Sequence, residues 1–192
     1  MKQLGEVHSF LSIHIDRTNH SYFLSQKAYA VSILQLAQLT DCNPIANPTC
    51  TKLPQEFKSD TVLSDPMLYR KIIGSLQYLT LTRPDISYSV NLLSQHMHQP
   101  LPEHIFSLKR LLRYLKGTLN FDIPIKKSNL SLKSFSNADW AGDPCSRKSM
   151  SGYFSYLGET LISWTVKKQT IVARSFTKSE YRSLAALVAD VI

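Results

Sequence analysis

The sequence predicts an α+β chain: a largely helical first part, then antiparallel strands followed by one helix, an incomplete α/β unit. Three observations predict it. Apolar residues recur at helical spacing through three segments between Tyr69 and Leu115. After Gly117 the spacing switches to extended patterns rich in aromatic residues. From Thr177 to Ile192 helical spacing returns. A length of 192 residues suggests one domain or two small ones.

Each element has a local reason. Val7 to Ile15 alternates in the manner of a half-buried strand, Asn19-His20-Ser21 supplies turn residues, and Tyr22-Phe23-Leu24 runs back, so a hairpin is predicted. Ser25 is a candidate cap for a helix carrying Ala28, Val31, Ile33 and Leu34. Asp41-Cys42-Asn43-Pro44 stops it, and residues 44–64 read as an irregular connector. Asp65-Pro66 opens a helix with the stripe Tyr69, Ile72, Ile73, Leu76 and Leu79. Thr82-Arg83-Pro84-Asp85 breaks it, Ile86, Val90, Leu93 and Met97 mark the next, and Ile105, Leu108, Leu111, Leu112 and Leu115 a third, ended by Gly117. Short links between such helices predict a small bundle. Strands are expected over 121–126, 130–137, 151–157, 160–164 and 171–175. In the last helix, Leu184, Leu187 and Val191 are expected on one side.

Composition narrows the function. The hydrophobic share is 43% and the charged share 19%, values of a globular chain rather than a disordered one. No apolar run approaches the roughly 20 residues of a membrane span, and the start lacks a signal-peptide core, so cytoplasm or nucleus is expected. Cys42, Cys50 and Cys145 have no zinc-knuckle spacing and fit reduced thiols. His96, His98 and His104 cluster loosely, as metal ligands or as a solvated helix end. A net charge of +8 and a pI near 9.4 favour a polyanion such as nucleic acid, or serve solubility alone. Lys109, Arg110, Arg113 and Lys116 share one side of the third helix. They suit a phosphate backbone, or form its solvated outer face.

Several motifs stand in order along the chain. They are Phe10-Leu11-Ser12-Ile13, Phe23-Leu24-Ser25-Gln26, Tyr69-Arg70 with Gly74, and Leu81-Thr82-Arg83-Pro84-Asp85-Ile86. Leu112-Arg113-Tyr114-Leu115-Lys116-Gly117-Thr118, Ala138-Asp139-Trp140-Ala141-Gly142, Ser151-Gly152-Tyr153, Ile162-Ser163-Trp164 and Glu180-Tyr181-Arg182 follow. With these the chain resembles the Pol polyprotein of copia-type LTR retrotransposons, nearly end to end. The resemblance implies the end of a reverse transcriptase palm over 1–50, thumb and connection-like helices over 51–118, and the opening of a ribonuclease H-like domain over 119–192. The family's Tyr-x-Asp-Asp polymerase turn does not occur here, so polymerisation by this chain alone is not expected. Ser12 stands where the family's primer-supporting strand usually carries glycine.

Ribonuclease H chemistry, as the resemblance implies it, uses Mg²⁺ held by carboxylates to cut the RNA strand of an RNA–DNA hybrid. The family's first catalytic aspartate falls at Asn137, whose amide lacks the charge that holds the cation. Asp139 faces the same side two residues on, or is structural as the family's aspartate there is. Glu180 matches the family's catalytic glutamate, or closes a capping box with Thr177. Lys178 stands where the family often has an acid, and the later family aspartates would lie beyond Ile192. The expected function is a degenerate, inactive Pol fragment that keeps hybrid-binding surface, with Arg147 and Lys148 joining the helix cations and no Mg²⁺ bound. A non-catalytic nucleic-acid-binding module, or the ribonuclease H part of a longer active polyprotein, are the alternatives; partners would be hybrid or the rest of Pol, and no membrane.

Overall fold

A computed structural model describes residues 7–49 and 66–192, so Cys50, the connector beyond residue 49 and the Asp65 cap lie outside the described residues. The chain divides into two compact units, Met1–Asp16 with Phe23–Ile123, and Arg17–Tyr22 with Pro124–Ile192. It is a mixed helix-and-sheet protein.

In the first unit the expected single opening strand is two. β1 (Ser9–Phe10) pairs antiparallel with β2 (Ile13–Arg17), with Phe10 opposite Ile13. Leu11 and Ser12 make the turn at φ 48° and 61°, the left-handed region that glycine adopts freely. Neither residue signals a turn, which is why alternation alone misses it. The Tyr78 hydroxyl donates to the Leu11 carbonyl and secures the turn from outside the hairpin. β3 (Ser21–Ser25) follows, as the Asn19 turn predicts. Ser25 ends that strand rather than capping a helix: α1 (Lys27–Leu36) starts after Gln26, without a side-chain cap.

α2 (Pro66–Leu79), a 3-10 turn at Pro84–Ile86 leading into α3 (Ser87–Ser94), and α4 (Pro102–Gly117) follow the predicted stripes. Ile33, Leu34, Ile73, Leu76, Val90, Leu111 and Leu115 belong to one buried core fed by all four helices. Each such side chain, fully buried, contributes about 1.5–3 kcal/mol of transfer free energy. Met97 lies past the end of α3 and only packs against the core.

The break at Thr82-Arg83-Pro84-Asp85 is a clasp. Arg83 is 4% exposed, and its Nε and Nη2 grip the Asp85 carboxylate at 2.9 and 2.7 Å. Nη1 donates to the Thr118 carbonyl at 2.9 Å, so the arginine ties the start of α3 to the end of α4. Burial raises the Asp85 pKa; the Arg83 hydrogen bond and charge outweigh it, and the net shift is downward.

The second unit is a three-stranded antiparallel sheet, in the order β5 (Leu132–Ala138), β6 (Met150–Leu157), β7 (Thr160–Lys168), covered on one face by α5 (Phe176–Val191). β4 (Ile123–Lys126) precedes it. The expected strand at 171–175 is absent. Its carbonyls are taken by side chains instead: Arg182 donates to Ile171 at 2.8 Å and the Trp140 indole to Ala173 at 3.0 Å. Of the three residues expected on the apolar side of α5, one is buried. Leu187 is buried, but Leu184 and Val191 are exposed, and Ser179 and Ser183 take the inner positions.

Candidate functional site

Two elements meet at the end of β5. Ser183, on the inner stripe of α5, donates its hydroxyl to the Asn137 carbonyl at 2.9 Å. One residue on, the Ala138 amide donates to Oε2 of Glu180 at 3.1 Å. Ala138 is buried, Glu180 half-buried, and Asn137 exposed. The strand position of Asn137 and the helix position of Glu180, 43 residues apart in sequence, are therefore neighbours in space.

Serines allow this approach. Ser149, Ser151, Ser155, Ser179 and Ser183 are all buried. Short side chains let the helix sit close to the sheet, where bulkier ones would hold it away. Gln169 stitches the seam, its Nε2 donating to Ser151 Oγ at 3.0 Å and to the Ser179 carbonyl at 2.9 Å. A sequence signal was present: serine at 151 and 155 on one strand face, and small residues at 179 and 183, one helical turn apart.

Glu180 does not close a capping box. α5 starts at Phe176 with Ser175 as its cap, the Ser175 hydroxyl accepting from the Lys178 amide at 3.2 Å. Thr177 lies inside the helix, and Glu180 stands past the first turn, its carboxylate turned to the strand. The capping-box expectation read the cap two residues late, because Ser175 and Thr177 are both competent caps.

Asp139 is used locally. Its carboxylate takes the Met150 amide, and its own amide donates to the Met150 carbonyl at 3.0 Å. A Cβ on Gly142 would stand 1.8 Å from Asp139 Oδ2, so glycine there leaves the carboxylate its place. The loop beyond is held by Asp143. It accepts from the Cys145 amide at 2.8 Å and the Ser146 hydroxyl at 2.7 Å, and it pairs with Lys168. The Lys168 hydrogen bond, followed by those of Ser146, holds its carboxyl well below the usual carboxylate range. Arg147 is exposed at the tip of this loop with φ 54°, and Lys148 is half-buried beside it. Among the described residues no group of three or more His, Cys, Asp or Glu side chains could hold a metal ion.

In the first unit the cations of α4 are not one open face. Arg110 Nε donates to the Thr49 carbonyl at 3.0 Å, and Arg113 Nε to the Asn43 carbonyl at 2.8 Å. Both bind the 43–49 segment against the helix; Lys109 is exposed and Lys116 half-buried. His96 and His104 stack with ring centroids 3.7 Å apart, and His104 Nδ1 accepts the Leu101 amide at 2.9 Å, so that ring completes a helix start. Among the described residues no helix is long and apolar enough to cross a membrane.

No family model matches this sequence, and no solved structure matches it. Among curated proteins, it is 48% identical over 186 residues to the "Retrovirus-related Pol polyprotein from transposon RE1" of Arabidopsis thaliana. It is 34% identical over 190 residues to that from transposon TNT 1-94 of Nicotiana tabacum. These alignments cover 96% and 94% of the chain, but the chain spans only 13% and 14% of the two polyproteins. An uncharacterized mitochondrial protein of Arabidopsis thaliana is 46% identical over 191 residues, 99% of the chain and 79% of that protein.

Proposed function

The chain belongs to the copia-type retrotransposon Pol polyprotein family, and from that premise we propose that it is a reverse transcriptase–ribonuclease H segment that binds RNA–DNA hybrid without cutting it. Asn137 carries the reading. It occupies the strand position beside Glu180 where the family's chemistry wants a second carboxylate. Paired cations bridged by carboxylates need negative oxygen ligands from more than one side chain. Here the ligands on offer are one neutral amide, a Glu180 carboxylate with an oxygen on the Ala138 amide, and an Asp139 carboxylate engaged by the Met150 amide. This set does not fit Mg²⁺.

The charge of the second unit favours binding. Residues 124–192 carry ten Lys and Arg against five Asp and Glu. Such an excess attracts a polyanion, and each phosphate neutralised adds about 0.9 to the salt slope of binding to duplex DNA. Arg147 and Lys148 on the Asp143 loop are the contacts proposed for the hybrid backbone, with Lys109 and Lys116 in the first unit.

The test is a labelled RNA–DNA hybrid with and without Mg²⁺. The expected result is salt-dependent binding, weakened by Arg147→Ala with Lys148→Ala, and an intact RNA strand. Mg²⁺-dependent cutting that Glu180→Gln abolishes would overturn the non-cutting half. Hybrid affinity indifferent to salt would overturn the binding half.

A further inference from the structure

The two faces of the β5–β6–β7 sheet are unlike. Side chains alternate along a strand, and the α5 side takes Ser151 and Ser155. Phe135, Phe154 and Trp164 are partners across the three strands and form one row on the opposite face. Lys133 and Tyr156 make the adjoining row. The Phe135 and Phe154 rings stack with centroids 5.2 Å apart and planes 28° off parallel, and Tyr156 stands edge-on to Phe154 at 5.8 Å. Phe135 is 52% exposed and Phe154 40%. Single exposed apolar residues are ordinary, but a contiguous aromatic patch marks a surface that something covers.

Charge selects the partner. The three strands carry Lys133, Lys167 and Lys168 and no acid; by register Lys133 lies on the ring face, Lys167, opposite Ser151, lies on the α5 side, and Lys168 pairs with Asp143. The five acids of residues 124–192 all have partners within the unit. Glu180 meets the Ala138 amide, Asp139 the Met150 amide, Asp143 pairs with Lys168, Glu159 with Lys126, and Asp190 accepts from Ser163. A ring face that carries Lys133 and no strand acid, in a unit with an excess of cations, suits a polyanion that can offer its bases. In a duplex the bases are stacked inside and cannot meet the rings; in a single strand they can.

We propose that the outer face of the β5–β6–β7 sheet, centred on Phe135 and Phe154 with Lys133 beside them, binds single-stranded nucleic acid by stacking bases on the rings. The proposal rests on the nucleic-acid reading above but assigns a second surface, across the sheet from the helix that carries Glu180. Lys133 meets the backbone between stacked bases, and Tyr156 borders the rings.

The full chain is titrated by fluorescence anisotropy with a short labelled oligothymidylate and, in parallel, with RNA–DNA hybrid. Phe154→Ala is expected to weaken oligothymidylate binding about tenfold, the effect of one lost stacking partner. Its effect on hybrid binding is expected to be less than about twofold, since paired bases cannot use the ring. Phe135→Leu, which keeps the apolar surface and removes the aromatic face, is expected to repeat the loss at an unchanged melting temperature. Lys133→Ala is expected to lower the salt slope by roughly one unit or less. Unchanged oligothymidylate affinity in both phenylalanine variants overturns the proposal. So does a dimer by light scattering that Phe135→Leu dissociates, because the face then belongs to a second copy. If hybrid binds and oligothymidylate does not, this proposal alone falls; if neither binds, the nucleic-acid reading falls with it.

Discussion

The helical core and the seam under α5 hold helices by opposite means. In the first unit Leu76, Leu111 and Leu115 are fully buried, and the helices stay together because large apolar side chains leave water. In the second unit the buried stripe of α5 is Ser179, Ser183 and Leu187, facing serines of β6. Little apolar area is gained there. The seam gains closeness and hydrogen bonds: Ser183 to the Asn137 carbonyl and Gln169 to both sides. Each such bond contributes a net ~1 kcal/mol, less than a buried leucine. A volume-filled core makes stability, whereas a hydrogen-bonded seam makes position, and Glu180 is brought to Ala138 by the second kind.

Three substitutions test that contrast. Leu111→Ala, in the core, should cost about 3–4 kcal/mol from lost burial and the cavity left behind, read from denaturant unfolding. A cost near 1 kcal/mol would show a core loose enough to collapse on the gap. In the seam the damaging change is enlargement. Ser183→Leu should cost about 2 kcal/mol by forcing α5 off the sheet. The Ala138 amide should then exchange faster with solvent as it loses Glu180, whereas Ser183→Ala should cost only about 1 kcal/mol. Equal costs for the two Ser183 variants would mean the seam is not closely packed.

The smallest effect is a pH dependence in the first unit. Burial, then the His96 charge, lower the His104 pKa to about 4 from 6.5. The unfolded chain therefore binds the proton more readily. The contribution from neutral His104 is complete above about pH 6.5 and is lost as pH falls toward 4. Urea midpoints across that window should fall with pH, and His104→Gln should flatten the slope. A flat profile in the unsubstituted chain would remove His104 from the account.

Legibility differed in the same way. The stripes of α2 and α4 were readable because large apolar residues recur every three or four positions, and that recurrence is itself the cause of burial. The turn at Leu11-Ser12 was not readable, since neither residue favours φ above zero and Tyr78, far along the chain, secures it. The α4 arginines read as one cationic side, yet Arg110 and Arg113 are turned to carbonyls of a segment some seventy residues away or nearer. At the candidate site the identities of Asn137 and Glu180 were plain, and a matching pair of positions was expected. Their neighbourhood was expected only through the resemblance, and the serine seam was not expected at all, because hydrophobic periodicity is blind to serine.

Residues read along the chain were enough for the family, the helical stripes, the positive charge and the amide at position 137. Each is a property of residue type or local spacing. Folding set what each polar group is paired with: Glu180 with a strand amide, Asp139 with Met150, Arg83 with Asp85 and Thr118. Pairing a buried polar group depends on what folds against it, and elements distant in sequence supply most of those partners.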